Sequence, residues 1–113
     1  MKCAIGLDYG TNSVRCVIVD TADGRELGTC VYEYETGQAG ILLDPADHNL
    51  ARQNPADYLK GAEVTIVGAI AQAKKAEPAF DPKDIVGIGV DTTGSTPLPV
   101  DGNGTPLAML DAF

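Results

Sequence analysis

The chain has 113 residues, 44% of them hydrophobic, enough for a real core and too much for wholesale disorder. Its net charge of −8, from 16 acidic and 8 basic residues, excludes nucleic acid as a natural partner and repels free nucleotides. Any phosphate site must therefore be built locally, from backbone N–H groups, a lone cation or a metal.

Residues 3–8, CAIGLD, are small or apolar and read as a central strand. Residues 14–20, VRCVIVD, read as a second strand, and Asp23-Gly24 supplies the turn into a third over 27–35, which alternates less cleanly and looks like an edge. Together they form an antiparallel meander. Cys3, Cys16 and Cys30 all fall in these strands. Odd in number and lacking a CxxC spacing, they read as free thiols and small core residues. Met1-Lys2-Cys3 enters the strand pattern at once, with no signal-peptide cleavage region, and no apolar run is long enough to span a bilayer. A cytoplasmic location and no membrane partner are expected.

Residues 36–54 read as irregular, with His48 solvated rather than ligating a metal. A helix is predicted over 55–77: Asn54 is its N-cap, Pro55 its first residue, Asp57 lies in its first turn, and Lys74 and Lys75 lie near its end. Leu59, Ala62, Ile66, Ile70 and Ala73 recur at helical spacing and are expected to face the sheet. Gly61 and Gly68 imply close packing against a neighbour. Residues 85–91, IVGIGVD, are apolar or Gly at both parities, the pattern of a fully buried parallel strand. Residues 97–110 read as a hairpin around Asp101-Gly102-Asn103-Gly104.

This order predicts an α/β fold: a mixed sheet of order 3-2-1-4, one long helix and a C-terminal β-hairpin. Such an order resembles the opening portion of a ribonuclease-H-like, actin-like ATPase domain. One helix cannot cover both faces of such a sheet. The chain is thus expected to be part of a larger protein, or to bury its open face by self-association.

Two loops carry chemistry. After the first strand come Asp8, Gly10, Thr11, Asn12, Ser13 and Arg15. They make either a plain polar hairpin or a phosphate grip, with Gly10 allowing close approach, backbone N–H groups and small side chains donating, and Arg15 reaching a phosphate. After the 85–91 strand come Asp91, Thr92, Thr93, Gly94, Ser95 and Thr96. These hydroxyls either satisfy the loop's own backbone or hydrogen-bond a polyol. Parallel neighbours would bring Asp8 and Asp91 to one sheet edge, so that the two loops share a cleft.

The stretches IGLDYGTNSVRCVIVD and GIGVDTTGSTPLPVDGNGTPL together resemble the N-terminal part of the FGGY family of carbohydrate kinases. The first matches that family's D-x-G-T-x-S-x-R phosphate motif, and RQNPADYLKG is similar to its stretch before the first long helix. The resemblance implies in-line transfer of the γ-phosphoryl group of ATP, with Mg²⁺, to a sugar hydroxyl. It implies that Gly10, Thr11, Asn12, Ser13 and Arg15 contact the ATP phosphates. Asp8 would hold the metal through water, and Thr93, Gly94, Ser95 and Asp91 would face the sugar. Glycerol-phosphorylating members carry an Arg-Glu pair where this chain has Gly94-Ser95. The loop is most similar to members that phosphorylate L-ribulose in arabinose catabolism, so a ketopentose is the implied sugar. The family's general base, an Asp, and its adenine-binding half are expected downstream of Phe113, leaving these residues inactive alone. The implied full enzyme could form a homodimer. Two alternatives stay open: a kinase for xylulose or another pentulose or pentitol, and a non-catalytic actin-like binding or assembly module.

Overall fold

Alternating Val, Ile, Leu and Cys side chains turn three N-terminal segments into strands, β1 (Cys3–Tyr9), β2 (Ser13–Asp20) and β3 (Glu26–Glu33). The fold was obtained as a computed structural model that describes residues 1–94 and 97–112. β1 pairs antiparallel with β2, and β2 with β3. Gly24, at a φ of 76°, closes the turn between β2 and β3 by donating its N–H to the Asp20 carbonyl at 2.8 Å. Cys16 pairs directly with Cys30, and all three thiols are free. Burial pushes the Cys16 thiol up to about 11.

The segment expected to be irregular contains a small hairpin, β4 (Leu42–Asp44) and β5 (Asp47–Arg52). Its tight turn is fixed by the Asp44 carboxylate accepting the Ala46 N–H at 2.9 Å. His48 is exposed on β5. The following helix, α1 (Pro55–Ala76), starts as expected: the Asn54 side chain accepts the Ala56 N–H at 3.0 Å. Asp57 is buried at the positive end of α1, and its carboxylate accepts from the Thr36 hydroxyl at 3.0 Å and the Thr36 N–H at 3.3 Å. That pair fastens the helix start to the chain leaving β3.

The face that α1 buries is not the one expected. Leu59 is 71% exposed, and the buried positions are Asp57, Gly61, Thr65, Ala69 and Ala73. Of the expected set only Ala73 is fully buried; Ala62, Ile66 and Ile70 pack at the margin of the core. The reason is distance. α1 lies so close over β2 and β3 that its contact stripe must be small. A Cβ on Gly28 would overlap the Ala69 carbonyl. One on Gly68 would sit 2.5 Å from the Cys30 sulfur, and one on Gly61 2.5 Å from Val14 Cγ1. The close packing inferred from Gly61 and Gly68 is present. The Thr65 hydroxyl, fully buried in this stripe, donates to the Gly61 carbonyl at 2.7 Å.

A 3-10 turn over Pro82–Asp84 leads into β6 (Ile85–Thr92), which pairs parallel with β1. The sheet order is β3-β2-β1-β6, the predicted 3-2-1-4 with β6 in the fourth place. β6 is not buried as its composition suggested: Val86, Ile88 and Val90 are 65%, 56% and 62% exposed. α1 rests on β2 and β3, so only Ile85 at the start of β6 packs against the core, and from Val86 on the strand is exposed. The expected hairpin over 97–110 is reduced to one bridge, Val100 to Pro106, followed by a 3-10 turn over Leu107–Met109. Pro97 and Pro99 lack the N–H groups that a longer ladder needs. The Asp101 carboxylate instead accepts the Asn103 and Thr105 N–H groups at 2.8 and 2.9 Å.

Gly28→Ala should destabilise the fold by about 3 kcal/mol, because neither the strand nor the helix backbone can yield. Gly87→Ala should change little, since its Cβ meets nothing within 4 Å. Urea denaturation of the two variants in parallel checks this; equal effects would contradict the close-contact account.

Candidate functional site

β1 and β2 meet in a turn at Gly10–Ser13, closed by the Gly10 N–H donating to the Ser13 carbonyl at 2.8 Å. None of these four residues takes a positive φ. Three consecutive carbonyls of the turn are held by the surrounding protein. Gly10 O accepts from the Tyr34 hydroxyl at 2.9 Å, Thr11 O from Gln53 Nε2 at 2.9 Å, and Asn12 O from the Tyr34 N–H at 3.0 Å. The C=O and N–H of a trans peptide point in opposite directions. Fixing these carbonyls toward the protein therefore turns the following N–H groups outward. Those of Thr11 and Asn12 have no acceptor among the described residues. Asn12 was expected to offer its side chain. Its Nδ2 instead donates to the Ala39 carbonyl at 2.7 Å, which ties the side chain to the protein.

The groups that hold the turn are themselves stacked. Tyr9 and Tyr58 rings lie 4.7 Å apart at 10°, and Tyr34 and Tyr58 5.4 Å apart at 18°. Gly40, at a φ of 87°, lets the chain pass over Tyr34 where a Cβ would come within 2.8 Å of the ring side. Tyr9 donates its hydroxyl to the Tyr58 carbonyl at 3.0 Å, and Tyr58 donates its own to Gln53 Oε1 at 3.1 Å. Burial raises Tyr34 well above its ordinary value of 10.0, with Tyr58 adding to the effect, and burial raises Tyr9 likewise. None of these residues stood out in the sequence, where each is an isolated polar aromatic or amide.

The sheet face opposite α1 carries the charges. Asp8 pairs across β1–β2 with Arg15 and across β1–β6 with Asp91, so the three side chains stand in one row. They line an open concavity of about 670 Å³, with Gly6, Val17, Glu26, Thr29, Val31 and Gly89 among its other residues. All three charges are exposed, and none belongs to an ion pair among the described residues. No three His, Cys, Asp or Glu side chains among the described residues gather as a metal cage. Two adjacent carboxylates of this kind fit a divalent ion that keeps most of its ligands as water and phosphate oxygens.

A second cleft, about 910 Å³, opens at the carboxyl ends of β1 and β6. Thr11, Thr92 and Thr93 reach it from the strand ends, Arg52 and Gln53 from β5 and its exit, Pro55, Tyr58 and Leu59 from α1, and Leu98 and Pro99 from the C-terminal segment. The Thr93 N–H donates to the Tyr9 carbonyl at 3.2 Å, which ties the two loops together. Gly94 lies at the bend just beyond. Ser95, expected with it, lies outside the described residues. The structure thus divides the expected set in two. Asp8, Arg15 and Asp91 share the open sheet face, while Thr11 and Thr93 look into the cleft at the strand ends.

No protein-family model matches the chain. It is 42% identical over 109 residues to a ribulokinase of Vibrio parahaemolyticus, covering 96% of this chain and 18% of that protein. It is 43% identical over 105 residues to a ribulokinase of Bacillus licheniformis, covering 89% and 18%, and 39% identical over 119 residues to one of Mycolicibacterium smegmatis, covering 99% and 20%. The crystal structure of a xyloylose kinase from Brucella ovis matches with a TM-score of 0.71 over 93% of this chain and 19% of that one, at 24% identity, and shows the same fold. By fold and by this likeness the chain is similar to the N-terminal part of the ribulokinases, which are carbohydrate kinases. The chain spans about a fifth of the length of these curated relatives.

The tyrosine stack predicts a pH dependence. A phenol held above its ordinary value stabilises the fold fully below pH 10.0, and this stability is lost as the pH rises and the unfolded chain releases the proton first. In an ultraviolet absorbance titration Tyr34 and Tyr9 should keep their protons beyond that value. Ionisation of every tyrosine at the ordinary value would contradict the buried stack.

Proposed function

We propose that the protein of which this chain forms part is an ATP-dependent kinase that phosphorylates a ketopentose, L-ribulose first among them. The observation that carries this reading is the parallel pairing of β1 with β6, which sets the donor-rich Gly10–Ser13 turn beside the hydroxyl-bearing loop after Asp91. A phosphate donor and a polyol acceptor need such neighbouring sites, because phosphoryl transfer depends on positioning and charge stabilisation more than on covalent chemistry by the protein. The ribulokinase relatives support the choice of sugar.

In this reading the outward N–H groups of Thr11 and Asn12 bind phosphate oxygens, with Gly10 and Ser13 shaping the turn. Arg15, the cation of the open face, supplies a guanidinium to the terminal phosphate. Asp8, with Asp91 beside it, would hold Mg²⁺ through water; when bound, that ion neutralises charge on the transferring phosphoryl group. The sugar lies in the cleft at the strand ends, its hydroxyls facing Thr93 and Gly94. The apolar wall of Leu59, Leu98 and Pro99 sheds water there. No Asp, Glu or His stands among the described residues that line this cleft, and this reading assigns the proton of the sugar hydroxyl to a residue of the longer protein. The reading also includes a cytoplasmic site of action with no membrane partner. No helix among the described residues is long and apolar enough to cross a membrane.

A coupled ADP-release assay should show turnover of L-ribulose by the full-length protein and none by residues 1–113 alone. Turnover of xylulose or a pentitol in preference to L-ribulose would overturn the substrate choice. Arg15→Ala in the full-length protein should raise the KM for ATP about tenfold, the loss of one charge-assisted contact, and leave the KM for sugar nearly unchanged. Unaltered ATP kinetics would reduce the turn to a structural hairpin.

A further inference from the structure

The turn between β1 and β2 has no hydrogen-bonded frame of its own beyond the Gly10 N–H to Ser13 carbonyl bond. Its shape is imposed from outside, by residues far away in the chain. Of its three tethered carbonyls, two depend on Tyr34, which is buried at 4% exposure inside the aromatic stack and is fixed by packing. The middle one, Thr11 O, depends on a single flexible side chain, Gln53. That tether orients the peptide whose N–H belongs to Asn12.

Gln53 is held at both ends. Thr11 O can only accept, so it takes the amide nitrogen; the amide oxygen is then left for a donor, which is the Tyr58 hydroxyl at 3.1 Å. The orientation of the amide is therefore set by its partners. Gln53 sits where β5 runs into α1, one residue before the helix cap Asn54, so the tether also joins the turn to the start of the helix. Its side chain also lines the cleft at the strand ends, together with Thr11 and Thr93.

We infer that Gln53 is a positioning residue for the phosphate donor: by clamping Thr11 O, and being clamped by Tyr58, it keeps the Thr11–Asn12 peptide turned so that the Asn12 N–H faces the ligand. The inference rests on the reading of this turn as the ATP phosphate site. Gln53 does not touch ATP. It acts through the turn, and its loss should appear more in nucleotide use than in sugar binding, and not in stability.

The test uses the full-length protein, with kcat, the KM for ATP, the KM for L-ribulose and the thermal midpoint measured for each variant. Gln53→Met keeps the length and neutrality of the side chain and removes both hydrogen bonds. It should raise the KM for ATP about fivefold, the worth of one hydrogen bond, and by more than it raises the KM for L-ribulose, in whose cleft Gln53 also stands, with the thermal midpoint essentially unchanged. Gln53→Glu keeps the acceptor for Tyr58 but faces Thr11 O with a second acceptor and should shift the KM for ATP further in the same direction. Tyr58→Phe should raise it less, and should add nothing in the Gln53→Met background, because both changes break one chain of contacts. Arg15→Ala separates the two levels of the argument. If it raises the KM for ATP while Gln53→Met does not, the phosphate site stands and the positioning role is overturned. If neither changes it, the phosphate reading fails and this inference with it. A rise in both KM values together with a lower thermal midpoint would make Gln53 a structural residue only and would also overturn the inference.

Discussion

The contact between α1 and the sheet is so close that glycine and alanine backbones meet, and much of the remaining arrangement follows from it. Gly28 on β3 faces the Ala69 carbonyl, and Gly61 and Gly68 on α1 face Val14 and Cys30. A helix seated this low brings its first turn against the ends of β1 and β3. There the Tyr58 ring enters between Tyr9 and Tyr34. Asp57 reaches Thr36 from the same turn. Once those contacts form, Gln53, just before the helix, falls within reach of Thr11. A helix held further out by large side chains would leave this network unmade. The small-residue stripe, costly in helix propensity and poor in apolar area, is thus tied to the geometry of the turn.

The same contact explains which parts of the fold could be read from residue order. β1 and β2 carry their burial in local alternation, and the parallel placing of β6 beside β1 follows from Gly and Val at both parities. Asp8 and Asp91 were therefore placed together correctly, as direct partners across two strands. The buried face of α1 was not legible. A pattern of large apolar residues points to Leu59, Ile66 and Ile70, whereas a close helix–sheet contact selects Gly61, Thr65, Ala69 and Ala73. Two glycines hinted at this, but hydrophobic periodicity outweighed them. The burial of β6 was misjudged for a different reason. Composition records what a strand is suited to, while exposure depends on which layers are present to cover it.

At the candidate site, the groups visible in the sequence are those with charge or hydroxyls next to a glycine. The groups that were missed act by fixing backbone carbonyls across separations of 22 to 42 residues, Tyr34 N–H to Asn12 O and Gln53 to Thr11 O. No local pattern marks such a residue, because its partner is a main-chain atom that every residue possesses. Asn12 shows the converse. Its side chain looked like a ligand contact, yet it serves to hold Ala39, which sits at a φ of 52°, a strained value for a residue with a Cβ.

The charge balance of the open face bears on how a polyphosphate would be received. Asp8, Asp91 and Glu26 line the concavity against one cation, Arg15, in a chain that already carries a net charge of −8. A bare triphosphate approaching this surface meets more repulsion than attraction. A triphosphate carrying a divalent ion presents the carboxylates with a cation and leaves its terminal oxygens for Arg15 and the outward N–H groups of the turn. Under the proposed reading, the two acidic strand ends therefore disfavour metal-free nucleotide as well as favour the complex, and the uncharged donors of the turn carry the phosphate contact without demanding further positive charge. This division of labour also explains why the orientation of two peptide groups matters here. Where side-chain cations are scarce, main-chain N–H groups are the remaining donors, and their direction is set by whatever holds the carbonyls behind them.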